Sequence, residues 1–428
     1  LVFSGGIFDR RQTTVADINW MDPYYNIDSS INTMGENNRK FKRGGVNVYG
    51  RFKISEGSEL TVDLDYVSFT IIGDQQYQTR LVAPGSDIEL TKGDIPAKLN
   101  IFSAKADYSK QFKKFLLETG LKTAHNKTDN LAEYYLATNN NPWQPDLRRS
   151  NHFLYNETIS AAYASVDAEK GKWHWQAGLR YEFTHYKANQ LGNAVVKDSA
   201  FKRNYGSIFP TAFVSYQADS NNTITLRAGK RIDRPAFQHL NPFQTILNKY
   251  TYEAGNPFIK PQYTWNFSVA HTYKQKLTTE VSYSFLKDYF SQIFILDSSS
   301  GNANNNIMIY TRGNVGTFTN FGISETFQTS ITKWWSLTAV AVYNHKVIKG
   351  VVWAPFTARV NQLNISINNQ FQLKKGWSLE LSGYYQTKSQ IDLQEWLEPQ
   401  GELNFGIGKQ ILKKKGTLRL NIRDLTYF

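Results

Sequence analysis

The chain has 428 residues, with 49 Lys and Arg against 36 Asp and Glu, a net charge of +13. It has no cysteine, which excludes disulfides, zinc–thiolate sites and a cysteine nucleophile. Mean hydropathy is −0.48 and no stretch approaches the roughly 18 consecutive apolar residues of a transmembrane helix. That leaves open a transmembrane barrel, whose strands are apolar only at every second position.

Taken in order, residues 1–8 read as the end of a strand and residues 9–42 as a polar loop holding Trp20. A short turn at Ser55-Glu56-Gly57-Ser58 then opens a repeating unit. After it, Leu60, Val62, Leu64 and Tyr66 alternate with Thr61, Asp63 and Asp65. Two aspartates on the inward parity are costly in a dry core and ordinary in a water-lined lumen. Similar turns recur around Lys110-Gln111, Lys170-Gly171, Asp219-Ser220-Asn221, Lys274-Gln275, Thr332-Lys333, Lys374-Lys375-Gly376 and Lys414-Lys415-Gly416. They lie about 40 to 60 residues apart, room for two long strands and one long loop, as in an outer-membrane barrel. A sandwich turns every 8–12 residues or so. Eight such turns imply about sixteen strands, or seventeen with residues 1–8.

Parity holds along the strands. Trp173, Trp175, Ala177, Leu179, Tyr181 and Phe183 share one face, and His174, Gln176, Arg180, Glu182 and Thr184 the other. Leu418, Leu420 and Ile422 alternate with Arg419, Asn421 and Arg423. Alternation alone fits a sandwich too. The positions of Trp173, Trp334 and Trp377, each just after a short turn, favour an interfacial aromatic belt over core plugs. Aromatic residues make up 14% of the chain.

The other connections are long and polar. Asn139 to Trp143, Asp297 to Asn306 and Asp392 to Gln400 (with Trp396) all fall on the side opposite the short turns. A mobile loop without ligand contact is the simpler reading for any one of them. Lysines cluster in the short turns, a pattern better matched to lipid headgroups and phosphorylated glycolipid than to nucleic acid, which is not expected as a partner.

The central stretch runs from Asn222 to Gln262. An alternating strand leads into Arg231, Asp233, Arg234 and Pro235. Leu240-Asn241-Pro242-Phe243 and Gly255-Asn256-Pro257 follow, then Pro261 and another strand from Tyr263. The connection holds four of the 12 prolines, residues that cannot donate to a sheet ladder. The Asn-Pro pairs are expected to set turns. The Arg231, Asp233 and Arg234 cluster has two readings: it grips an anionic ligand through guanidinium forks, or Arg231 and Asp233 on the lumen face tie the wall to a neighbouring strand or plug; the structural reading is preferred.

These motifs resemble the barrel part of TonB-dependent outer-membrane receptors, especially the Bacteroidetes-type outer membrane protein beta-barrel family. The resemblance implies an all-β, antiparallel up-and-down transmembrane barrel of about 22 strands, of which residues 1–428 supply about 16 to 17 as a partial barrel domain without its plug. The chain is therefore expected to be an internal piece of a longer protein, with no leader read at Leu1. The resemblance also implies energised uptake of a scarce nutrient (an iron chelate, cobalamin, glycan or peptide) across a Gram-negative, Bacteroidetes-like outer membrane. The implied partners are outer-membrane lipid and lipopolysaccharide, the TonB complex through the plug, a small nutrient ligand and, as in some relatives, a surface lipoprotein. Candidate ligand contacts are Trp20, Trp143, Arg231, Asp233, Arg234 and Trp396.

No phosphate loop, His-Glu-x-x-His or Gly-x-Ser-x-Gly occurs. His174 and His185 lie on opposite parities, so no metal site is expected, and no cofactor. The pair Asp63 and Asp65 reads as lumen wall rather than acid–base machinery, and the chain reads as non-enzymatic. A TonB-independent channel and a surface adhesin or glycan-binding barrel are the alternatives. An upstream plug and TonB box would set the receptor apart from the first; loss of uptake on deletion would count against the second.

Overall fold

The computed structural model describes residues 1–83, 87–139, 141–242, 244–248, 251–296 and 308–426. Phe243, Asn140, the loop stretch Asp297–Asn306 and Tyr427-Phe428 lie outside the described residues. In chain order the strands are β1 (Val2–Met21), β2 (Ile27–Ser55), β3 (Ser58–Ala83), β4 (Ile88–Asp94), β5 (Ala97–Gln111), β6 (Leu116–Thr138), β7 (Gln144–Pro145), β8 (Asn151–Lys170), β9 (Trp173–Leu191), β10 (Ser199–Gln217) and β11 (Asn222–Asp233). One helical turn, α1 (Phe237–Leu240), precedes β12 (Gln244–Asn248), β13 (Thr251–Ala254), β14 (Gln262–Tyr273), β15 (Leu277–Leu296), β16 (Met308–Thr332), β17 (Trp335–Val351) and β18 (Pro355–Gln372). Last come β19 (Trp377–Gln386), β20 (Ser389–Asp392), β21 (Glu395–Leu397), β22 (Gln400–Ile411) and β23 (Gly416–Ile422).

One sheet takes 21 of these strands, and β20 with β21 forms a separate hairpin. Four of the 21 are short segments, β4, β7, β12 and β13. The other seventeen form an up-and-down antiparallel wall in which each strand pairs with its sequence neighbours in the wall. Among the described residues β1 pairs only with β2 and β23 only with β22, so the ladder is open between them.

Residues 9–42, expected as a loop, are instead the greater part of β1 and the first half of β2, joined by a tight turn in which Asp22 accepts hydrogen bonds from the Tyr24 and Asn26 backbone amides at 2.8 and 2.9 Å. Both faces there are polar because the ladder extends past the apolar belt, so the alternation on which the sequence reading depends vanishes while backbone pairing continues. The expectation that all connections on that side are long fails for the same reason: β17 turns into β18 between Val351 and Pro355.

The eight short turns lie where the sequence puts them. Asp219 nucleates one, accepting from the backbone amides of Asn221 and Asn222 at 2.7 and 3.0 Å. Lys274 and Gln275, both at positive φ (49° and 55°), close another in the hairpin geometry that matches strand twist.

Burial separates barrel from sandwich. On β9, Trp173, Trp175, Leu179, Tyr181 and Phe183 are exposed, while Thr184, Tyr186 and Ala188 of the opposite parity are buried. Register carries this across the wall: Trp175, Val214, Leu226, Val269, Val281, Ile323 and Tyr343 are direct cross-strand neighbours, one after another, at one level. One position along, Gln176, Phe213, Arg227, Ser268, Ser282, Gly322 and Asn344 form the parallel, mostly polar row. Apolar outside and polar inside is the inverse of a soluble protein and the pattern of a wall solvated by lipid. Inside, Asn47 donates to both Asp63 and Asp65 at 2.6 Å, so these carboxylates are wall fittings. Tyrosine rings also lie over cross-strand glycines; a Cβ on Gly35 or Gly93 would come within 2.5 and 2.4 Å of the Tyr77 and Tyr134 rings.

Candidate functional site

The connection between β11 and β14 folds into the lumen. Pro235 ends the β11 ladder because it has no amide hydrogen to donate. The two Asn-Pro motifs then lock together: the Gly255 amide donates to the Asn241 carbonyl at 2.9 Å and the Asn256 amide to the His239 carbonyl at 2.6 Å. A Cβ on Gly255 would stand 2.2 Å from that Asn241 oxygen, so only glycine permits the approach.

The apolar side chains of this strap have no core of their own and bury themselves on the inner wall. Leu240 and Ile259 pack with Phe153 and Tyr155 of β8, Tyr186 and Ala188 of β9 and Phe290 of β15. Tyr252 packs with Tyr77 of β3 and Ala132 and Tyr134 of β6, and Arg149 donates to its hydroxyl at 3.0 Å. Hydrogen bonds fix the rest. Arg203 donates to the Ile259 carbonyl at 2.9 Å. Asn256 reaches the Arg312 carbonyl at 3.1 Å. Lys260 and Asn314 exchange two bonds, at 2.7 and 3.0 Å. Strands β3 and β6 are far from β15 and β16 along the ladder, so one segment bridges separate parts of the wall across the interior.

Between strap and wall lies a recess of about 300 Å³, lined among others by Arg39, Asn130, His239, Gln292, Tyr310 and Arg312. Burial and the nearby Arg312 guanidinium hold the His239 imidazole below its ordinary pKa, and its Nδ1 is buried without a hydrogen-bond partner. The recess thus offers two guanidinium groups, a neutral imidazole and amides, a set suited to holding a polar ligand. Among the described residues no three His, Cys, Asp or Glu side chains cluster as a metal site. The turn between β20 and β21 also docks here. Leu393 packs on Val315 and Ile348, its amide donates to Ser291 at 3.0 Å, and Tyr310 donates to Glu395 at 2.6 Å.

Of the candidate residues from sequence, Arg231 and Arg234 line one recess and the others are not gathered with them. Arg234 donates to Glu182 of β9 at 2.6 Å and to Thr184 at 3.1 Å, and stands over the Tyr205 ring. Glu182 also accepts from Arg180, which lies 5.1 Å from the Tyr163 ring centroid. Asp233 accepts from Gln262 of β14 at 3.0 Å. These two are ties between strands and strap. Arg231 is exposed beside Arg180, Lys230 and Arg234 in a second recess of about 430 Å³. Trp143 is 40% exposed with Lys92 over its ring, and Trp396 is 51% exposed with Lys388 over its ring. Trp20 stands opposite Ser29 near the outer end of the β1–β2 ladder. The polar parity of β9 announced Arg180, Glu182 and Thr184, whereas nothing local marked Arg203, Tyr252 or Asn314.

A lipid-facing wall, a polar interior and an inward-folded connection define a transmembrane β-barrel with a lumen partly filled by its own chain. Residues 50–427 match the outer membrane protein beta-barrel family, and the chain belongs to it. It is an outer-membrane barrel. No curated protein sequence matches the chain. Among solved structures it is similar to the siderophore receptor PiuA from Acinetobacter baumannii (TM-score 0.59, 11% identity, 99% of this chain and 77% of that one). It is also similar to the ferric-catecholate import receptor Fiu from E. coli K12 (0.57, 11%, 99% and 76%) and to the ferric yersiniabactin uptake receptor FyuA from Yersinia pestis (0.56, 14%, 99% and 70%). At these identities the likeness is one of fold.

Proposed function

We propose that this barrel is the wall of a TonB-dependent outer-membrane receptor that takes up a small, scarce nutrient and is not an enzyme. What carries the reading is the polar recess under the strap, whose guanidinium, imidazole and amide groups are suited to holding a small polar ligand inside the lumen. An iron chelate is favoured among nutrients by the ligands that the receptors of similar fold are named for. The open edges of β1 and β23 support a longer protein whose further strands close the wall, since unpaired backbone is costly in lipid, with a plug domain and TonB contact outside residues 1–428. A surface lipoprotein partner and a Bacteroidetes-like host rest on motif resemblance. The candidate contacts are Arg39, His239 and Arg312 of the recess, Arg231 of the second recess, and Trp20, Trp143 and Trp396 at the loop side.

Deleting the gene in its host is expected to abolish accumulation of one labelled nutrient from a panel of ferric chelates, cobalamin, oligosaccharides and peptides. Disrupting TonB in the parent should abolish the same uptake. Uptake that survives TonB loss but not gene deletion would make the protein a passive channel. Uptake intact in both would point to a surface-binding barrel.

A further inference from the structure

On the reading that the recess under the strap is a ligand site, we propose that it takes an amphiphilic anion. The acidic group lies toward Arg39 and Arg312, and the aromatic or acyl part lies on an apolar shelf of the inner wall formed by β2, β3 and β5. The shelf is set by register. Phe41, Ile71 and Ala97 are direct cross-strand neighbours, and so are Arg43, Phe69 and Leu99 in the next inward row. Val67 and Ile101 extend it by one row more. The pairing runs without a shift from Asn47, which holds Asp63 and Asp65 inside, so these residues face the lumen.

Lipid does not require such a face. Within the apolar belt Val46, Tyr66 and Phe102 point outward, and Asn47, Asp65 and Ser103 inward. A few residues further along the strands the order reverses: Lys42, Thr70, Lys98 and Asp129 form an outward polar row behind the shelf. A wall that is wet outside and apolar inside calls for an apolar occupant within. On β8 and β9 the strap is that occupant. The shelf rows run on through Asn130 and Thr128 of β6 to Phe153 and Tyr155, which are 0% and 4% exposed beneath Leu240 and Ile259. Phe41, Phe69, Ile71, Leu99 and Ile101 stay partly exposed. The recess adjoins them directly, since Arg39, Ile71 and Ala97 line it.

Charge selects the sign of the ligand. Arg39 and Arg312 line the recess with one carboxylate, that of Glu253, and Arg43 lies 5.6 Å from the Phe69 ring centroid. The arginines that form ion pairs, Arg51, Arg149, Arg180, Arg227 and Arg234, are others. Guanidinium groups without a carboxylate of their own, beside an apolar surface, fit an acid carried on a ring or an acyl chain. A free sugar or a small polar acid would leave the shelf bare.

The test is photolabelling of the full-length protein in isolated outer membranes with p-benzoylbenzoate, an aromatic anion, and with its neutral counterpart p-benzoylbenzyl alcohol. Peptide mass spectrometry locates the adducts. The anion is expected to label β2 around Phe41, β3 around Phe69 and β5 around Leu99 about tenfold more than the alcohol does, the effect of one charge-assisted hydrogen bond. Arg39→Gln with Arg312→Gln should remove that preference, and Arg39→Lys with Arg312→Lys should keep most of it. Equal labelling by the two probes, or a preference undiminished in the folded Gln variant, overturns the proposal. So does an unlabelled shelf whose p-benzoylphenylalanine, placed at Phe69, crosslinks to another segment of the same protein, which would make that segment the occupant. The comparison of the two probes on the wild type needs no variant. Labelling needs no transport either. TonB-dependent uptake with an unlabelled shelf would sink this inference alone, and a labelled shelf without TonB-dependent uptake would sink the receptor reading alone.

Discussion

Val281→Arg is expected to destabilise the barrel by about 2–4 kcal/mol in a lipid bilayer, and Ser282→Arg by less than about 1 kcal/mol. The two positions are adjacent on β15 and differ only in the face they take. Val281 is 41% exposed and sits in the apolar row between Val269 and Ile323. An arginine there must carry its charge into hydrocarbon or distort the bilayer to reach water. Ser282 faces the lumen between Ser268 and Gly322, where a guanidinium can stay hydrated. Equilibrium unfolding in vesicles measures both. Equal costs, or the reverse order, would mean that the two faces are assigned wrongly.

The second large effect is expected at Glu182. Its two carboxylate oxygens accept from Arg180 and Arg234 separately, and its side chain is only 12% exposed. Glu182→Ala leaves two guanidinium groups facing each other, and the loss of a partner from such a pair costs about 3–5 kcal/mol. Arg234→Ala should cost less, because Glu182 keeps Arg180. Hydrogen exchange should locate the damage: amides of residues 234–262 lose protection in both variants, more in Glu182→Ala, while the β14–β18 ladder keeps its own. The Glu182→Ala/Arg234→Ala pair should be less than additive, since the second change removes a charge already stranded by the first. Strict additivity would mean that the two side chains do not act as a tie.

Much of the wall was legible in the sequence because its cause is local. Each strand must present alternate residues to lipid, so Trp173 to Thr184 or Leu418 to Arg423 reveal their faces without reference to any partner. The short turns were legible for the same reason, through Asp219, Gly57 and the Lys-Gly pairs. Residues 9–42 were not, because polar residues on both faces erase the period while the hydrogen-bonded ladder persists. The interior was legible only in part. Asp233 was read in one of its two senses as a tie to a neighbouring strand, and its bond from Gln262 makes that tie; Arg231, read the same way, is exposed in the second recess, and the tie that Arg234 makes to Glu182 was not read. The recess was out of reach. Its walls come from β2, β6, β15, β16 and the strap, and His239 acquires its surroundings only when Leu240 and Ile259 find the aromatic patch on β8 and β9. Trp143 and Trp396, chosen for their loops, are exposed and stand against different lysines, Lys92 and Lys388, since an exposed Trp is decided by its loop and not by its neighbours across the barrel.

The central claim is that the chain between Arg234 and Gln262 crosses the lumen. Photocrosslinking from p-benzoylphenylalanine placed at Tyr252, in the protein inserted in outer membranes, tests it most directly. Crosslinked peptides are expected from β3 around Tyr77 and from β6 around Tyr134, the strands that Tyr252 packs against. Crosslinks confined to the adjoining strands β11 and β14, or none to the wall at all, would put the strap outside the barrel and contradict the account.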